Sequence, residues 1–403
     1  MAERAVSPYL CGMPDTHALS DHCDPIPLAR RLIQAPSITP ADAGALDILG
    51  GALAALGFTV KRYRFDEVDN LYARLGDAAP VFCFAGHTDV VPPGPEAEWT
   101  HAPFDAALDE GVLWGRGAAD MKGALAAMVA GVAAFLEREG RPAGSIAFLI
   151  TGDEEGPAVN GTKKLLEAIA AEGEQLDHCL VGEPTNPSAL GETIKVGRRG
   201  SLNGVITVTG RQGHVAYPEK AENPIPALTA LLARLTARTL DEGAPHFQPS
   251  NLEVTSIDVG NAAHNVIPGV AKAKFNIRFN TSHAGDDLKR WITEEAQTVH
   301  LDHRVDVDLD LKVTGEAFLT RSSPFTDLIR DAVAERTGRA PALTTGGGTS
   351  DARFIKDYCP VAEFGLVGAT MHQIDERVDA GDVVALSGIY ADILARYFKA
   401  FAA

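Results

Sequence analysis

FCFAGHTDVVPP, residues 82–93, is an apolar run that ends in His87, Thr88 and Asp89 and is closed by two prolines. An apolar run bounded in this way predicts a buried strand with its polar residues gathered at one end. Residues two apart on a strand point to the same side, so His87 and Asp89 project together beyond the strand end. A neutral imidazole nitrogen suits a metal ion, and a carboxylate on the other ring nitrogen fixes the tautomer. Polar pairs in strand-end turns give the same pattern, so this stretch alone leaves both readings open.

Outward from it, β-rich runs occupy residues 58–64, 70–75, 145–151 and 178–181, and an alanine-rich helix is predicted over 122–138. Two helices, over 26–34 and 41–56, precede them, the second stopping at Gly57. This alternation predicts an α/β sheet domain. From about Gly200 the texture changes. Residues 201–209 and 271–280 alternate apolar with polar or small residues, as antiparallel strands with one solvated face do. With helices over 224–239 and 284–299, the order is β-α-β-β-α-β, compatible with a ferredoxin-like insert. The α/β pattern resumes near Gly315. The expected organisation is a flexible extension over 1–24, a sheet domain in two parts over 25–199 and 313–403, and an inserted domain over 200–312.

With 403 residues and 45% apolar composition the chain can bury a sizeable core. A formal charge of -18 argues against nucleic-acid and anionic-membrane surfaces. Five cysteines, Cys11, Cys23, Cys83, Cys179 and Cys359, are odd in number and lack CxxC spacing, which argues against a disulfide framework or a thiolate metal site. Neither an apolar leader nor a run approaching 18 uninterrupted apolar residues is present, so the expectation is a cytoplasmic protein with no membrane partner.

Four further segments carry potential chemistry. GRGAADMKG, residues 115–123, surrounds Asp120 with glycines, which suits close approach to an ion but also a glycine turn with an aspartate N-cap. ITGDEEG, residues 150–156, packs Asp153, Glu154 and Glu155 at a strand terminus, a costly arrangement unless a cation or solvent compensates. VGEPT at 181–185 brings Glu183, and TMHQIDE at 370–376 brings His372. Together, two histidines and several carboxylates at successive strand ends match the ligand inventory of a dinuclear zinc site.

The ordered set HTDVVPPG, GRGAADMKG, DEEG, GEPT and MHQIDE resembles that of the M20 metallopeptidase family from about Pro25 to the C-terminus. The resemblance implies a zinc-peptidase-like mixed sheet domain with an inserted ferredoxin-like dimerisation and lid domain. It implies two zinc ions per subunit, with cobalt a substitute in one site. His87 and Glu183 would bind one ion, Glu155 and His372 the other, and Asp120 would bridge. Glu154 would be the general base acting on a metal-activated water, and Asp89 would orient His87. No GxSxG elbow is present to support a serine nucleophile.

VGRRGSLN (196–203), GHVAYP (213–218), ENPI (222–225), NVIP (265–268) and TGGGTSDARF (345–354) resemble the branch of that family that removes a succinyl group from a diamino acid. The expected activity is hydrolysis of N-succinyl-LL-2,6-diaminopimelate, a step toward lysine and diaminopimelate. Arg198, Arg278 and the glycine-rich 346–349 segment, with Gly348 and Thr349, could supply donors to the substrate carboxylates. An exposed strand arginine is the alternative for Arg278. His214 resembles the family histidine that serves the partner's site in a homodimer, with Tyr217 and Asn265 as substrate contacts. Two other readings stand beside this one. A different M20 amidohydrolase, an acetylornithine deacetylase or a dipeptidase, keeps the same ligands. A noncatalytic binding protein on the same fold would have lost Glu154 or a ligand.

Overall fold

Residues 24–303 and 305–402 are described in the computed structural model. The expected extension, with Cys11 and Cys23, lies outside the described residues apart from Asp24. That residue caps the first helix, α1 (Pro25–Gln34), its carboxylate accepting the Ile26 N–H at 3.0 Å.

The helix expected from residue 41 begins later, as α2 (Ala45–Ala55). Residues 41–44 instead form a turn in which Asp42 accepts the N–H groups of Gly44 and Leu46, and Gly44 takes a left-handed φ of 83°. Strands β1 (Thr59–Phe65), β2 (Val68–Leu75) and β3 (Val81–His87) follow. Next come α3 (Gly123–Glu139), β4 (Ser145–Thr151), α4 (Thr162–Ala171), β5 (His178–Val181) and β6 (Thr193–Lys195).

The chain then forms β7 (Gly200–Thr209), α5 (Pro224–Ala237), β8 (Asn251–Asp258), β9 (Val270–Phe279), α6 (Gly285–His303) and β10 (Asp306–Gly315). It closes with α7 (Pro324–Thr337), β11 (Ala342–Thr344), β12 (Val361–Glu363) and α8 (Ala380–Phe401).

Two compact units divide these elements. The first comprises the chain to Val196 with Thr320–Leu343 and Ser350–Ala403; the second comprises Gly197–Leu319 with Thr344–Thr349. The first is built on an eight-stranded mixed sheet in the order β1-β2-β4-β3-β5-β12-β6-β11. Its centre is parallel: β4, β3, β5 and β12 run together, and every residue of β3 and β4 is buried. Burial on both faces explains why these strands read as continuous apolar runs rather than alternating ones.

The segment Ala118–Glu139, which contains α3, is long and apolar enough to cross a membrane, and most of it is buried inside the unit. It packs against α8, where a Cβ at Gly131 would stand 2.8 Å from the Ser387 carbonyl oxygen; only glycine permits that approach.

The second unit has the antiparallel order β8-β9-β7-β10 with α5 and α6 packed on one face, which is ferredoxin-like topology. Here the alternation is real: β9 buries every second residue. Asp241, after α5, ties this unit's loops together by accepting from the Gly243 N–H, from Asn280 Nδ2 at 2.6 Å and from His283 Nε2 at 3.0 Å. Burial opposes its charge, but hydrogen bonds from Ser250, Gly243 and Asn280 outweigh it and pull its pKa down to about 2. We expect Asp241→Ala to cost about 2 kcal/mol at pH 7. The folded pKa lies below the unfolded one, so the contribution is complete above pH ~4 and fades as pH falls toward ~2. Urea unfolding followed by the fluorescence of Trp291 checks this.

Candidate metal centre

Seven side chains of the first unit meet at the C-terminal ends of its central parallel strands, where open α/β sheets place their ligands. His87 is the last residue of β3 and pairs in register with Thr151, the last of β4, so the DEEG loop begins beside it. Glu183 follows β5 by two residues. Asp120 comes from the loop before α3, where Gly117 has φ 88° and Asp120 itself is non-helical. His372 comes from the 370–376 loop and holds a left-handed φ of 62°, a region unfavourable for a side-chain-bearing residue.

Asp120 stands in the middle. His87 Nε2 lies 3.1 Å from its Oδ1 and His372 Nε2 lies 3.3 Å from its Oδ2, so each oxygen faces one imidazole. Glu155 Oε1 is 2.8 Å from His372 Nε2, and Glu183 Oε1 is 3.7 Å from His87 Nε2. Two groups have ligand atoms within 4.8 Å of one another: His87, Asp120 and Glu155, and His87, Glu154 and Glu183. A set of nitrogen and oxygen donors with no sulfur fits zinc and neighbouring first-row divalent ions. Cys83, Cys179 and Cys359 are all buried and free of disulfides.

Asp89 holds the site in a different way from the sequence expectation. Its carboxylate stands 3.7 Å from His87 Nδ1, beyond hydrogen-bond reach. The Asp89 main-chain carbonyl is 2.9 Å from Nδ1 instead. A carbonyl can only accept, so Nδ1 carries a proton; without metal Nε2 carries a second one, donated to the Asp120 carboxylate, and that is the proton a metal would replace. The carboxylate oxygens accept the N–H groups of Glu154 at 3.2 Å and Glu155 at 3.0 Å, and so fix the DEEG loop. Of the three consecutive acids, Asp153 turns away and accepts the N–H groups of Val159 and Asn160.

In the protein without metal these groups move one another's protons. Burial alone would lower His87, but the hydrogen bond and charge of Asp120, with Glu183 and Asp89, raise it well above its ordinary value. Hydrogen bonds to Asp120 and Glu155 raise His372 to about 10. Asp120 is pulled down by both imidazoles despite its burial. Burial raises Glu154 well above the usual carboxylate range, with Glu183 and Asp351 adding to it. Both imidazoles must therefore give up a proton to bind a metal. At pH 7 we expect loading to release roughly two protons, and apparent affinity to climb with pH until it levels off near 10, where His372 loses its proton unaided. Metal titration in weak buffer with an indicator measures both; affinity independent of pH would contradict this electrostatic reading.

The second unit holds another constellation. His214 is paired beside Val266 on two short strands, Val215 N–H donates to the Asn265 carbonyl, and the His214 and Tyr217 rings lie 5.7 Å apart. All three side chains are exposed. Arg198, 3% exposed, donates to the Gly348 carbonyl at 2.7 Å, which explains why the glycine-rich 344–349 segment groups with this unit. Thr349 follows at its end. Arg278 sits on β9 opposite Ser201 and Asn251; burial, then Arg199, lowers its pKa.

Sequence reasoning passes over Arg116 and Glu376. Both are buried, and they form an ion pair of 2.6 Å directly behind the Asp120 loop. Their positions inside two quoted motifs are the only sequence signal.

A family model for peptidase family M20/M25/M40 matches residues 83–396. The succinyl-diaminopimelate desuccinylase of Maricaulis maris (strain MCS10) is 66% identical over 384 residues, covering 95% of this chain and 98% of that protein. The protein of the same name from Caulobacter vibrioides (strain NA1000 / CB15N) is 58% identical over 379 residues, covering 94% and 97%. Among solved structures, the M20 family metallo-carboxypeptidase Sso-CP2 from Sulfolobus solfataricus superposes with a TM-score of 0.75 at 16% identity, covering 93% of this chain and 99% of that one. The Bacillus subtilis YXEP protein, a dinuclear metal binding peptidase from the M20 family, gives 0.71 at 17% identity, covering 94% and 99%. At such identities the structures speak for the fold alone.

Proposed function

The chain belongs to peptidase family M20/M25/M40, and from that premise we propose that it hydrolyses N-succinyl-LL-2,6-diaminopimelate to succinate and LL-2,6-diaminopimelate. The reaction type is carried by one observation: the Asp120 carboxylate faces an imidazole with each of its oxygens, and a further carboxylate flanks each imidazole. The substrate assignment is supported by the names of relatives 66% and 58% identical to the chain.

The metals are zinc in this reading. His87 and Glu183 would hold one ion and His372 and Glu155 the other, with Asp120 as the ligand common to both. Bound there, the ions supply positive charge that acidifies water and polarises the scissile carbonyl. Glu154 is held by its backbone N–H on Asp89. With cations beside it, a carboxylate at this position would take a proton from the attacking water and later give it to the departing amine nitrogen. Asp89 keeps His87 in one tautomer through its carbonyl.

Arg198, Arg278, Gly348 and Thr349, with Tyr217 and Asn265, are the substrate contacts in this account, matching guanidinium forks and backbone donors to carboxylates. The inserted domain dimerises the chain and closes over substrate, and His214 of the partner subunit helps stabilise the oxyanion. The motif GHVAYP supports this. The enzyme works in the cytoplasm, consistent with a biosynthetic role, without a nucleic-acid or membrane partner.

Amine release from N-succinyl-LL-2,6-diaminopimelate with zinc added, run beside N-acetylornithine, tests the proposal. Turnover of the succinyl compound alone is expected. Preference for the acetyl compound would reassign the chain within its family, and turnover of neither would remove the substrate assignment.

A further inference from the structure

We propose that the buried Arg116–Glu376 pair is a positioning clamp that holds the His372 metal position in register with Asp120. The inference rests on the metal-site reading above. Glu376 is fully buried and Arg116 is 2% exposed. Glu376 Oε2 accepts from Arg116 Nη1 at 2.6 Å and from the Gly117 N–H at 3.0 Å; Oε1 accepts from the N–H groups of Ala119 at 2.9 Å and Asp120 at 3.1 Å. One carboxylate therefore grips the main chain of the residue that both imidazoles face.

The other end of the clamp is the His372 loop. Glu376 lies four residues after His372, and its own carbonyl accepts the Gly115 N–H at 2.9 Å. Arg116 Nη1 also donates to the Gln373 carbonyl at 3.2 Å, and Nη2 to the Pro92 carbonyl at 3.4 Å. The pair thus joins three loops: the one after His87, the one carrying Asp120 and the one carrying His372. A buried ion pair is a poor source of stability, since desolvation offsets most of its attraction. What it does give is a fixed register between main-chain segments 260 residues apart.

The two metal positions depend on that register unequally. His87 ends a fully buried strand, its ring is 1% exposed, and Asp89 locks its tautomer. The His372 side chain is 47% exposed on a loop with left-handed backbone at His372 and again at Asp375. Besides the clamp, that loop is tied by Asp375 to Thr100 and by Thr370 to Arg377. Loosening the clamp should release the ion at His372 first.

Stepwise zinc affinity, measured by chelator competition on the full chain, tests this with Glu376→Gln and, as the variant that keeps the charge but loses the planar fork, Arg116→Lys. For Glu376→Gln the weaker step is expected to lose about tenfold or more and the tighter step to change by less than about threefold. Its kcat should recover in excess zinc with KM unchanged. Arg116→Lys should weaken the same step by an intermediate factor, and it carries the test if Glu376→Gln does not fold. Equal weakening of both steps, or unchanged affinities with a lowered Tm, would overturn the clamp and leave a structural ion pair. Failure of the unmodified chain to take up two ions would instead sink the metal-site reading on which the clamp depends.

Discussion

Glu154→Gln is expected to lower kcat by about 10²- to 10⁴-fold while the protein keeps two bound ions and a KM within about threefold of the unmodified value. The amide preserves the shape of the side chain but cannot take a proton from water. Its neutrality costs the fold little, because burial and the neighbouring acids already push the Glu154 carboxyl well above its ordinary range. Glu154 lies close enough to His87 and Glu183 to be a ligand on distance alone. Metal content therefore decides between roles. If the substitution expels an ion, Glu154 is a ligand and another group must move the proton; if kcat is unchanged, it is neither.

Asp120→Asn should do more. This carboxylate faces both imidazoles, so its loss weakens both ions together, and kcat/KM is expected to fall by more than about 10³-fold with no recovery at moderate zinc. In the metal-free protein the same change removes one of the partners that raise His87 and His372, leaving Glu183 and Asp89 to the first and Glu155 to the second. Those remaining carboxylates keep the imidazolium charges compensated, and the destabilisation is expected to be about 3 kcal/mol or less. Glu155 pairs with His372 at 2.8 Å and Glu183 with His87 at 3.7 Å, so substituting either should weaken mainly one ion. Equilibrium dialysis with metal analysis separates the two patterns, and loss of a single ion in Asp120→Asn would show that the carboxylate is not shared.

Part of the candidate cluster was legible in the sequence because His87, the DEEG loop and Glu183 each mark a strand end, whereas Asp120 and His372 come from loops. The switch from apolar to polar at His87, at Asp153 and at Glu183 locates the C-terminal edge of a parallel sheet without any knowledge of the strand order. The same switch could not tell that Asp153 turns back to the Val159 and Asn160 amides while its two neighbours remain at the site. Nor could spacing alone assign Asp89. A carboxylate two residues from a histidine suggests a contact through the ring, whereas strand geometry delivers the carbonyl to the ring and the carboxylate to the next loop.

Long-range pairings were the least legible. Arg116 and Glu376 are ordinary charged residues in local context, and only the fold brings them together. The helix expected from residue 41 fails at Asp42 because its side chain offers Gly44 and Leu46 a competing turn. In the second unit, the alternation of β7 and β9 announces a half-solvated sheet, but the glycine run at 344–349 has no periodicity to announce its association with Arg198.

The most direct test of the account is anomalous diffraction from crystals grown with zinc, with data on both sides of the zinc edge. Two peaks are expected, one beside His87 and Glu183 and one beside His372 and Glu155, with the Asp120 carboxylate between them. A single peak, or two peaks that do not share Asp120, would contradict a two-metal hydrolase built on these residues.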